Sequence, residues 1–169
     1  MDIVILWDFD GVLMDSNLIR EYGFKQVLID FPKEQIDDLL GFHRENGGLS
    51  RYVKFRYFFE QIRKENISDQ EILLWAGKFS NIMKDLIINP DLLISETISF
   101  IRKNYQNIPM HIVSGSDQEE LQYICKENGI SHYFKSIHGS PTPKKELVDK
   151  LIIQNGYNRQ MCILIGDSI

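Results

Sequence analysis

The sequence predicts an α/β fold in which a parallel-sheet core carries an inserted block of helices. Residues 3–7 form a continuous apolar run rich in β-branched residues, which is typical of a strand buried on both faces. Residues 16–90 then show only helical patterning, and alternation between strand and helix resumes afterwards. We therefore expect an α/β core built from residues 1–15 and 91–169 and an all-helical unit at residues 16–90.

Four helices are expected within the inserted unit. Gly47 and Gly48 separate two of its helical segments. Ser68 and Glu71 form a capping-box signature that opens the last long helix, and Asn89-Pro90 punctuates its end. Helical spacing is kept by two sets of apolar residues, which are Tyr52, Phe55, Phe59 and Ile62, and then Ile72, Ala76, Phe79, Met83 and Leu86.

The second half of the sequence predicts the remaining core elements. Ser116 and Glu119 form a second capping box, and Thr142 with Pro143 is a good N-cap and first-turn pair for a helix ending at Asn155. The expected order is helix 93–105, strand 110–113, a helix after Ser116, strand 133–138, the helix ending at Asn155 and strand 161–165.

The composition argues against several classes of function. The formal net charge of -5 disfavours nucleic acid as the main partner, and no apolar run is long enough to span a bilayer. The sequence begins without a basic and apolar leader, so we expect no secretory signal. Cys125 and Cys162 lack the spacing of a metal or redox site, so both are expected to be buried reduced thiols of a cytoplasmic protein.

Asp8 and Asp10 follow the first predicted strand and are themselves followed by Gly11. Because one residue separates the two acids, an extended chain would direct both side chains the same way, and the glycine would permit a turn. Two carboxylates about 4 Å apart repel by roughly 4 kcal/mol at an effective dielectric constant of about 20. A shared proton, a cation or a metal ion would offset this repulsion; the alternative is a pair of solvated acids at a polar strand end.

Polar residues also follow two later predicted strands. Because the carboxyl ends of parallel strands meet at one edge of a sheet, these residues are expected to lie beside the two acids. Ser116 is expected to cap the following helix, which leaves the Ser114 hydroxyl and the Gly115 amide free to donate to an anion. Lys144 or Lys145 would add a positive charge, although a lysine pair at a helix start is often only a solvated surface feature. The last strand ends in Gly166, Asp167 and Ser168.

These motifs resemble, in order and spacing, the four motifs of the haloacid dehalogenase superfamily of phosphatases. The matching residues are Asp8-Phe9-Asp10-Gly11-Val12-Leu13, Ser114, Lys144 and Gly166-Asp167-Ser168. The helical unit resembles the cap of the branch that contains phosphoglycolate phosphatase and β-phosphoglucomutase. The resemblance implies a Rossmann-like core, a helical cap, and Mg2+-dependent removal of phosphate from a small phosphorylated metabolite.

The resemblance also implies a role for each matching residue. Asp8 would be the nucleophile that forms an aspartyl-phosphate, and Asp10 would be the general acid and then the general base. Mg2+ would bind Asp8, the backbone carbonyl of Asp10 and Asp167. The metal ion, together with a proton on Asp10, would then offset the repulsion between the two acids. The phosphoryl oxygens would be held by Ser114, the Gly115 amide and Lys144, with Lys145 as the alternative to Lys144.

The predicted cap contains a locally basic stretch, with six basic side chains and three acids between residues 42 and 66. An excess of positive charge favours anionic substrates. Arg44 lies where the caps that this unit resembles carry a substrate-facing arginine. Arg51 and Lys54 lie about one helical turn apart and could bind substrate with it, and His43 could face the substrate as well. A solvated helix surface is the alternative for the three cations, above all for Lys54.

The sequence departs from the family pattern after Ser168, where the pattern continues to a second acid, a further helix and a strand. We therefore expect a core that is truncated at its C-terminus, with consequences for metal affinity and stability. Two other functions stay open. One is a β-phosphoglucomutase-like sugar phosphomutase, which would return the phosphoryl group to the sugar, and the other is a non-catalytic phosphate-binding or assembly module. Neither the substrate nor the oligomeric state follows from the sequence.

Overall fold

Four parallel strands form one sheet in the computed structural model, which describes residues 3–167. The spatial order of the strands is β3-β2-β1-β4. Strand β1 lies inside the sheet and is buried at all four positions, as its continuous apolar sequence predicts. The predicted α/β fold with a parallel sheet is therefore confirmed. The strands are β1 (Val4–Trp7), β2 (Met110–Asp117), β3 (Ser136–Ser140) and β4 (Cys162–Ile165).

The chain between β1 and the later core elements is helical, as its apolar spacing predicts. The Ser68 capping box is present in full, because the Ser68 hydroxyl accepts from the Glu71 amide and the Glu71 carboxylate accepts from the Ser68 amide. The division into a core and a cap at residues 16–90 stays a prediction, as does the truncation of the core. The four helices are α1 (Asn17–Val27), α2 (Lys33–Glu45), α3 (Arg51–Tyr57), which a π-helical turn (Phe58–Ile62) continues, and α4 (Asp69–Ile87).

The remaining helices alternate with the strands, but two of their predicted N-terminal caps are wrong. Strand β2 runs beyond residue 113 to Asp117, so the next helix is capped by the Asp117 carboxylate and not by Ser116. The last helix has Pro143 at its N-cap position, and Thr142 provides no cap. These helices are α5 (Ser95–Asn104), α6 (Gln118–Glu127) and α7 (Lys144–Asn155).

One continuous cluster of buried apolar side chains joins the sheet to the helices. It reaches from Ile5 and Ile112 in the sheet to Phe24, Phe55 and Phe79 in the helical unit. The three phenylalanine rings pack on one another with centroids 4.5–6.2 Å apart. This packing places α1, α3 and α4 above the carboxyl ends of β1 and β2.

Strand β4 forms one edge of the sheet and is only partly covered within the described residues. Cys125 is a buried free thiol, whereas the free thiol Cys162 on β4 is partly exposed, so the expectation that both are buried is wrong for Cys162. Within residues 3–167 no helix has both the length and the apolar character that crossing a bilayer requires.

Candidate active site

The carboxyl ends of β1, β2 and β4 border one cavity of about 460 Å³ beneath the helical unit. The structure thus brings together most of the residues that the sequence singled out, with Ser168 lying outside the described residues. The sheet edge contributes Asp8, Asp10, Ser114, Gly115 and Asp167 to the lining, and the helical unit contributes Arg20, His43, Arg44, Arg51 and Lys54.

Asp8 is buried at the end of β1 and is 5 % exposed. Its Oδ1 accepts from the Phe9 amide at 2.8 Å, and its Oδ2 forms an ion pair with the ammonium of Lys144. Burial raises the pKa of the Asp8 carboxyl above its ordinary value, although the charge of Lys144 acts in the opposite direction. Lys145, the next residue of the same helix, is exposed, so Lys144 is the member of the lysine pair that contacts Asp8.

Asp10 is held as an anion by three donors from other elements. Its Oδ1 accepts from the Ser16 hydroxyl and from Arg20 Nε at 3.0 Å, and its Oδ2 accepts from the Ser116 hydroxyl at 2.5 Å. Burial acts to raise the pKa of Asp10, but the Arg20 charge and the donated hydrogen bonds outweigh it and lower the pKa to about 2. These donors favour the anion of Asp10 in this arrangement, whereas the resemblance implied a proton on that residue. Repulsion between the two acids is offset because Asp8 and Asp10 each have a cation of their own.

Ser114 and Gly115 lie at the end of β2, against the loop that joins α2 and α3. The Ser114 side chain is buried, and its Oγ accepts from the Ser116 amide at 3.1 Å. A Cβ atom added at Gly115 would lie 2.4 Å from the Gly48 carbonyl oxygen, so only glycine permits this approach of the two backbones. The loop after α2 therefore packs directly against the part of β2 that carries the predicted phosphate-binding residues.

Asp167 reaches the turn that follows β1. Its carboxylate accepts from the side-chain amide of Asn17 at 3.1 Å. Gly11 has a φ of 74°, and a Cβ atom there would lie 2.0 Å from Asp167 Oδ2. Glycine is therefore favoured at this turn by its backbone conformation, since the atoms that an added Cβ would meet are the ends of the Asp167 and Asn17 side chains.

The oxygen atoms around the cavity suit a hard divalent cation. Asp8 and Asp167 both line it, and carboxylate oxygens are the ligands that Mg2+ prefers. The Asp10 carboxylate is occupied by its three donors, and the assignment of the backbone carbonyl of that residue to a metal ion stays a prediction. Among residues 3–167 no three or more acidic, histidine or cysteine side chains are grouped to hold a metal ion. The expected set is compatible with that finding because it comprises only two side chains and one carbonyl.

A buried network of charges extends from Asp10 into the helical unit. Arg20 donates to Glu120 Oε1 and, at 3.1 Å, to the Ser116 hydroxyl. Arg51 donates from Nη1 to Glu120 Oε2 and from Nη2 to Oε1, both at 2.7 Å. Burial acts to raise the pKa of Glu120, but the two guanidinium groups outweigh it and lower the pKa to about 2. Glu120 therefore lies as an anion between two arginines, at 3 % exposure.

The two arginines expected to bind substrate both line the cavity, and each has an acidic partner. Arg44 is exposed and forms a two-pronged ion pair with Glu21 at 2.8 and 2.7 Å. Arg51 is buried beside Glu120 and donates to Ser80 Oγ at 2.6 Å. Its guanidinium carbon lies over the Phe79 ring, 4.6 Å from the ring centroid. A solvated helix surface therefore describes neither the position nor the partners of Arg51.

A family model described as haloacid dehalogenase-like hydrolase matches residues 5–169. The chain belongs to this family. A search of curated proteins found no significant match.

Solved structures share the fold of this haloacid dehalogenase-like hydrolase at low sequence identity. A β-phosphoglucomutase from Clostridium difficile has a TM-score of 0.74 at 20% identity, covering 99% of this chain and 77% of the other. CbbY from Rhodobacter sphaeroides, in complex with xylulose-1,5-bisphosphate, has a TM-score of 0.74 at 12% identity, covering 97% and 77%. A predicted phosphoglycolate phosphatase from Haemophilus somnus has a TM-score of 0.69 at 15% identity, covering 98% and 77%.

The sequence predictions miss two buried side chains of the hydrolase site and underestimate the burial of a third. Arg20 and Glu120 were assigned no role, and Lys54 was weighed chiefly as a solvated surface residue, whereas it is 3 % exposed. The spacing of Ser16 and Arg20, four residues apart at the start of α1, is the signal that could have placed both beside Asp10. No comparable sequence signal links Glu120 to Arg51.

Proposed function

We propose that this haloacid dehalogenase-like hydrolase removes phosphate from a small phosphorylated metabolite, with Mg2+ as cofactor and Asp8 as nucleophile. One observation carries the proposal. Asp8 lies buried at the end of β1 with Lys144 on its carboxylate, in a cavity that Asp10, Ser114 and Asp167 also line. Phosphoryl transfer needs positioning and charge neutralisation more than any other contribution from the protein, and this set provides both.

The proposed reaction has two displacements at phosphorus. In the first, an Asp8 carboxylate oxygen bonds to phosphorus, the bond from phosphorus to the leaving oxygen breaks, and Asp10 gives that oxygen a proton. In the second, Asp10 takes a proton from water as the water oxygen bonds to phosphorus. The bond from phosphorus to Asp8 then breaks, which releases inorganic phosphate and restores the carboxylate.

The surroundings of Asp10 keep it unprotonated, as the second displacement requires, but its pKa of about 2 makes it a weak base while Arg20 and the two serine hydroxyls donate to it. To act as an acid in the first displacement, Asp10 must bind a proton. That requires its contacts with Arg20 and the two serine hydroxyls to weaken when the substrate enters. We propose that movement of α1 with the rest of the helical unit makes this change, since Ser16 and Arg20 both belong to that unit.

The phosphoryl oxygens would be held by Ser114, the Gly115 amide and Lys144. Mg2+ would be held by Asp8, the Asp10 carbonyl and Asp167, and it would neutralise charge on the phosphate. We propose that residues 16–90 act as a cap that closes over the substrate and excludes water. Arg44 and Arg51 would contact substrate from that cap, after exchanging part of their present contacts with Glu21 and Glu120.

The names of the similar structures support a small phosphorylated metabolite as the substrate class. One of those proteins was solved with a sugar bisphosphate, and others are named as a phosphoglucomutase and a predicted phosphoglycolate phosphatase. We also propose a cytoplasmic location for this chain, in keeping with its two free cysteines.

The test is release of inorganic phosphate from a panel of sugar phosphates, phosphoglycolate and nucleotides, with and without Mg2+. Asp8→Asn should abolish turnover, because an amide cannot act as this nucleophile. Asp30→Asn, which makes the same change at an exposed acid, should retain the wild-type rate. Full activity of Asp8→Asn would refute the mechanism. Conversion of a sugar 1-phosphate without net phosphate release would instead identify a phosphomutase, and Mg2+ and phosphate binding without turnover would identify a binding module.

A further inference from the structure

Lys54 is the one cation lining the cavity that has no carboxylate partner among residues 3–167. Every arginine in the lining is already paired with an acid. These pairs are Arg20 with Asp10 and Glu120, Arg44 with Glu21, and Arg51 with Glu120. The positive charge that remains for a ligand on the helical side of the cavity is therefore that of Lys54.

Two contacts orient the Lys54 ammonium and leave one of its donors unused. Its Nζ lies 2.8 Å from His43 Nδ1 and 3.2 Å from the Gly47 carbonyl oxygen. Because an ammonium can only donate, Nδ1 of His43 must be the acceptor, and the ring must therefore be neutral. Burial and the Lys54 charge lower the pKa of His43 to about 4, which keeps the ring neutral at physiological pH. An ammonium has three N–H donors, so one remains for a ligand in the cavity.

The buried charge of Lys54 would be stabilised by an anion. Burial lowers the pKa of Lys54 to about 8, so most molecules still carry the charge at neutral pH. The Asp10 charge acts against this shift, but Asp10 forms no ion pair with Lys54 among residues 3–167. A ligand oxygen of opposite charge bound directly to the ammonium would therefore offset part of the cost of burying it. Glu45 also lines the cavity, but it is exposed, so water and salt screen its charge.

We propose that Lys54, oriented by His43 and the Gly47 carbonyl, binds a second anionic group of the substrate. The preferred substrates are then phosphomonoesters that also carry a carboxylate or a second phosphate. This inference rests on the proposed function, because it assigns the phosphate that is removed to Lys144 and Ser114 at the sheet edge. The second anion lies at the opposite, helical side of the same cavity.

Calorimetric binding with Mg2+ tests the subsite without requiring turnover. The Asp8→Asn protein would be titrated with two ligand pairs that differ in one anionic group. Phosphoglycolate is compared with ethylene glycol monophosphate, and xylulose-1,5-bisphosphate with xylulose 5-phosphate. In at least one pair the member with the second anion should bind about ten- to a hundredfold more tightly, as expected for a hydrogen bond between charged groups. The pair that shows the preference identifies the anion as a carboxylate or a phosphate.

Lys54→Met in the same background should abolish this preference, and Lys54→Arg should restore part of it. Lys84→Met, which removes an exposed lysine of α4, should leave the preference intact. Equal binding within both pairs by the protein with Lys54 intact would overturn the proposal, whether or not Lys54→Met folds. A preference that survives in folded Lys54→Met would overturn it equally. Failure of phosphate release on every substrate would contradict the proposed function but would leave this binding comparison decisive for the subsite.

Discussion

Glu120→Gln tests the charge network that joins the sheet to the helical unit. The change keeps the shape of the side chain but removes the charge that lies between Arg20 and Arg51. Both carboxylate oxygens of Glu120 now accept from arginine N–H groups. In glutamine one of these oxygens becomes an N–H₂ group, which can only donate and therefore faces an arginine donor. Both guanidinium groups are almost fully buried, with side-chain exposures of 6% and 4%, so water cannot replace the lost carboxylate.

The expected loss of stability follows from two independent estimates. A carboxyl whose pKa falls from its ordinary 4.5 to about 2 on folding contributes about 3 kcal/mol at neutral pH. Removing one partner of a buried ion pair typically costs about 3–5 kcal/mol. We therefore expect Glu120→Gln to lower the free energy of unfolding by about 3–5 kcal/mol. For a chain of this size, that corresponds to a fall of roughly 6 to 20 °C in Tm.

Urea denaturation followed by circular dichroism measures this difference. Glu119→Gln is the matched control, because Glu119 is the adjacent residue in the first turn of α6 but is exposed. Because folding lowers the pKa of Glu120, its stabilising effect is complete above pH 4.5 and is lost as the pH falls towards 2. The difference between wild type and Glu120→Gln should therefore shrink over that range. A loss at neutral pH no larger than that of Glu119→Gln would refute the network as a source of stability.

Two further substitutions test the contact between the strand end and the helical unit and the role of the exposed arginine. Gly115→Ala should weaken phosphate binding and slow turnover, because the added Cβ would press on the Gly48 carbonyl. Gly77→Ala is the control. Gly77 is an exposed helical glycine with open space around it, so this change should raise the Tm slightly. Wild-type kinetics in Gly115→Ala would show that the two backbones need not approach so closely. Arg44→Ala should leave the Tm near that of wild type because the Arg44 side chain is 59% exposed, so solvent screens its pair with Glu21. The same change should raise KM for the true substrate more than for a small artificial phosphomonoester, and equal effects on both would remove Arg44 from substrate binding.

Local pattern and the rules of parallel sheets account for what the sequence predicted well. A buried strand followed by Asp8 and Asp10 is visible in consecutive residues, and parallel strands place their carboxyl ends at one edge whatever the rest of the chain does. The same rule brought Ser114 and Asp167 to the cavity. The family resemblance favoured Lys144 over Lys145, and the structure adds that Lys144 is the one of the pair that forms an ion pair with Asp8.

The caps of the core helices show how a local rule can be overridden. Ser116 matches the capping-box pattern as well as Ser68 does, yet only Ser68 caps a helix. Strand β2 continues to Asp117, which pairs with Ser140 of β3. That pairing moves the start of α6 and turns the Ser116 hydroxyl towards Asp10. A capping pattern therefore competes with strand pairing, and the partner strand is distant in the sequence.

By itself the sequence determined the α/β class, the helical character of the inserted unit, the family and the acids at the strand ends, because each of these depends on neighbouring residues or on helical and strand periodicity. Only the tertiary structure decided which basic residues are paired and which one is available to a ligand. Helical spacing shows that Arg51 and Lys54 share a face of α3, but not that the end of β2 and Glu120 cover that face. In the folded chain Arg51 is paired with Glu120, whereas Lys54 lines the cavity without a carboxylate partner among residues 3–167. Packing decides this difference, because a buried charge can pair only with the groups that distant parts of the chain place beside it.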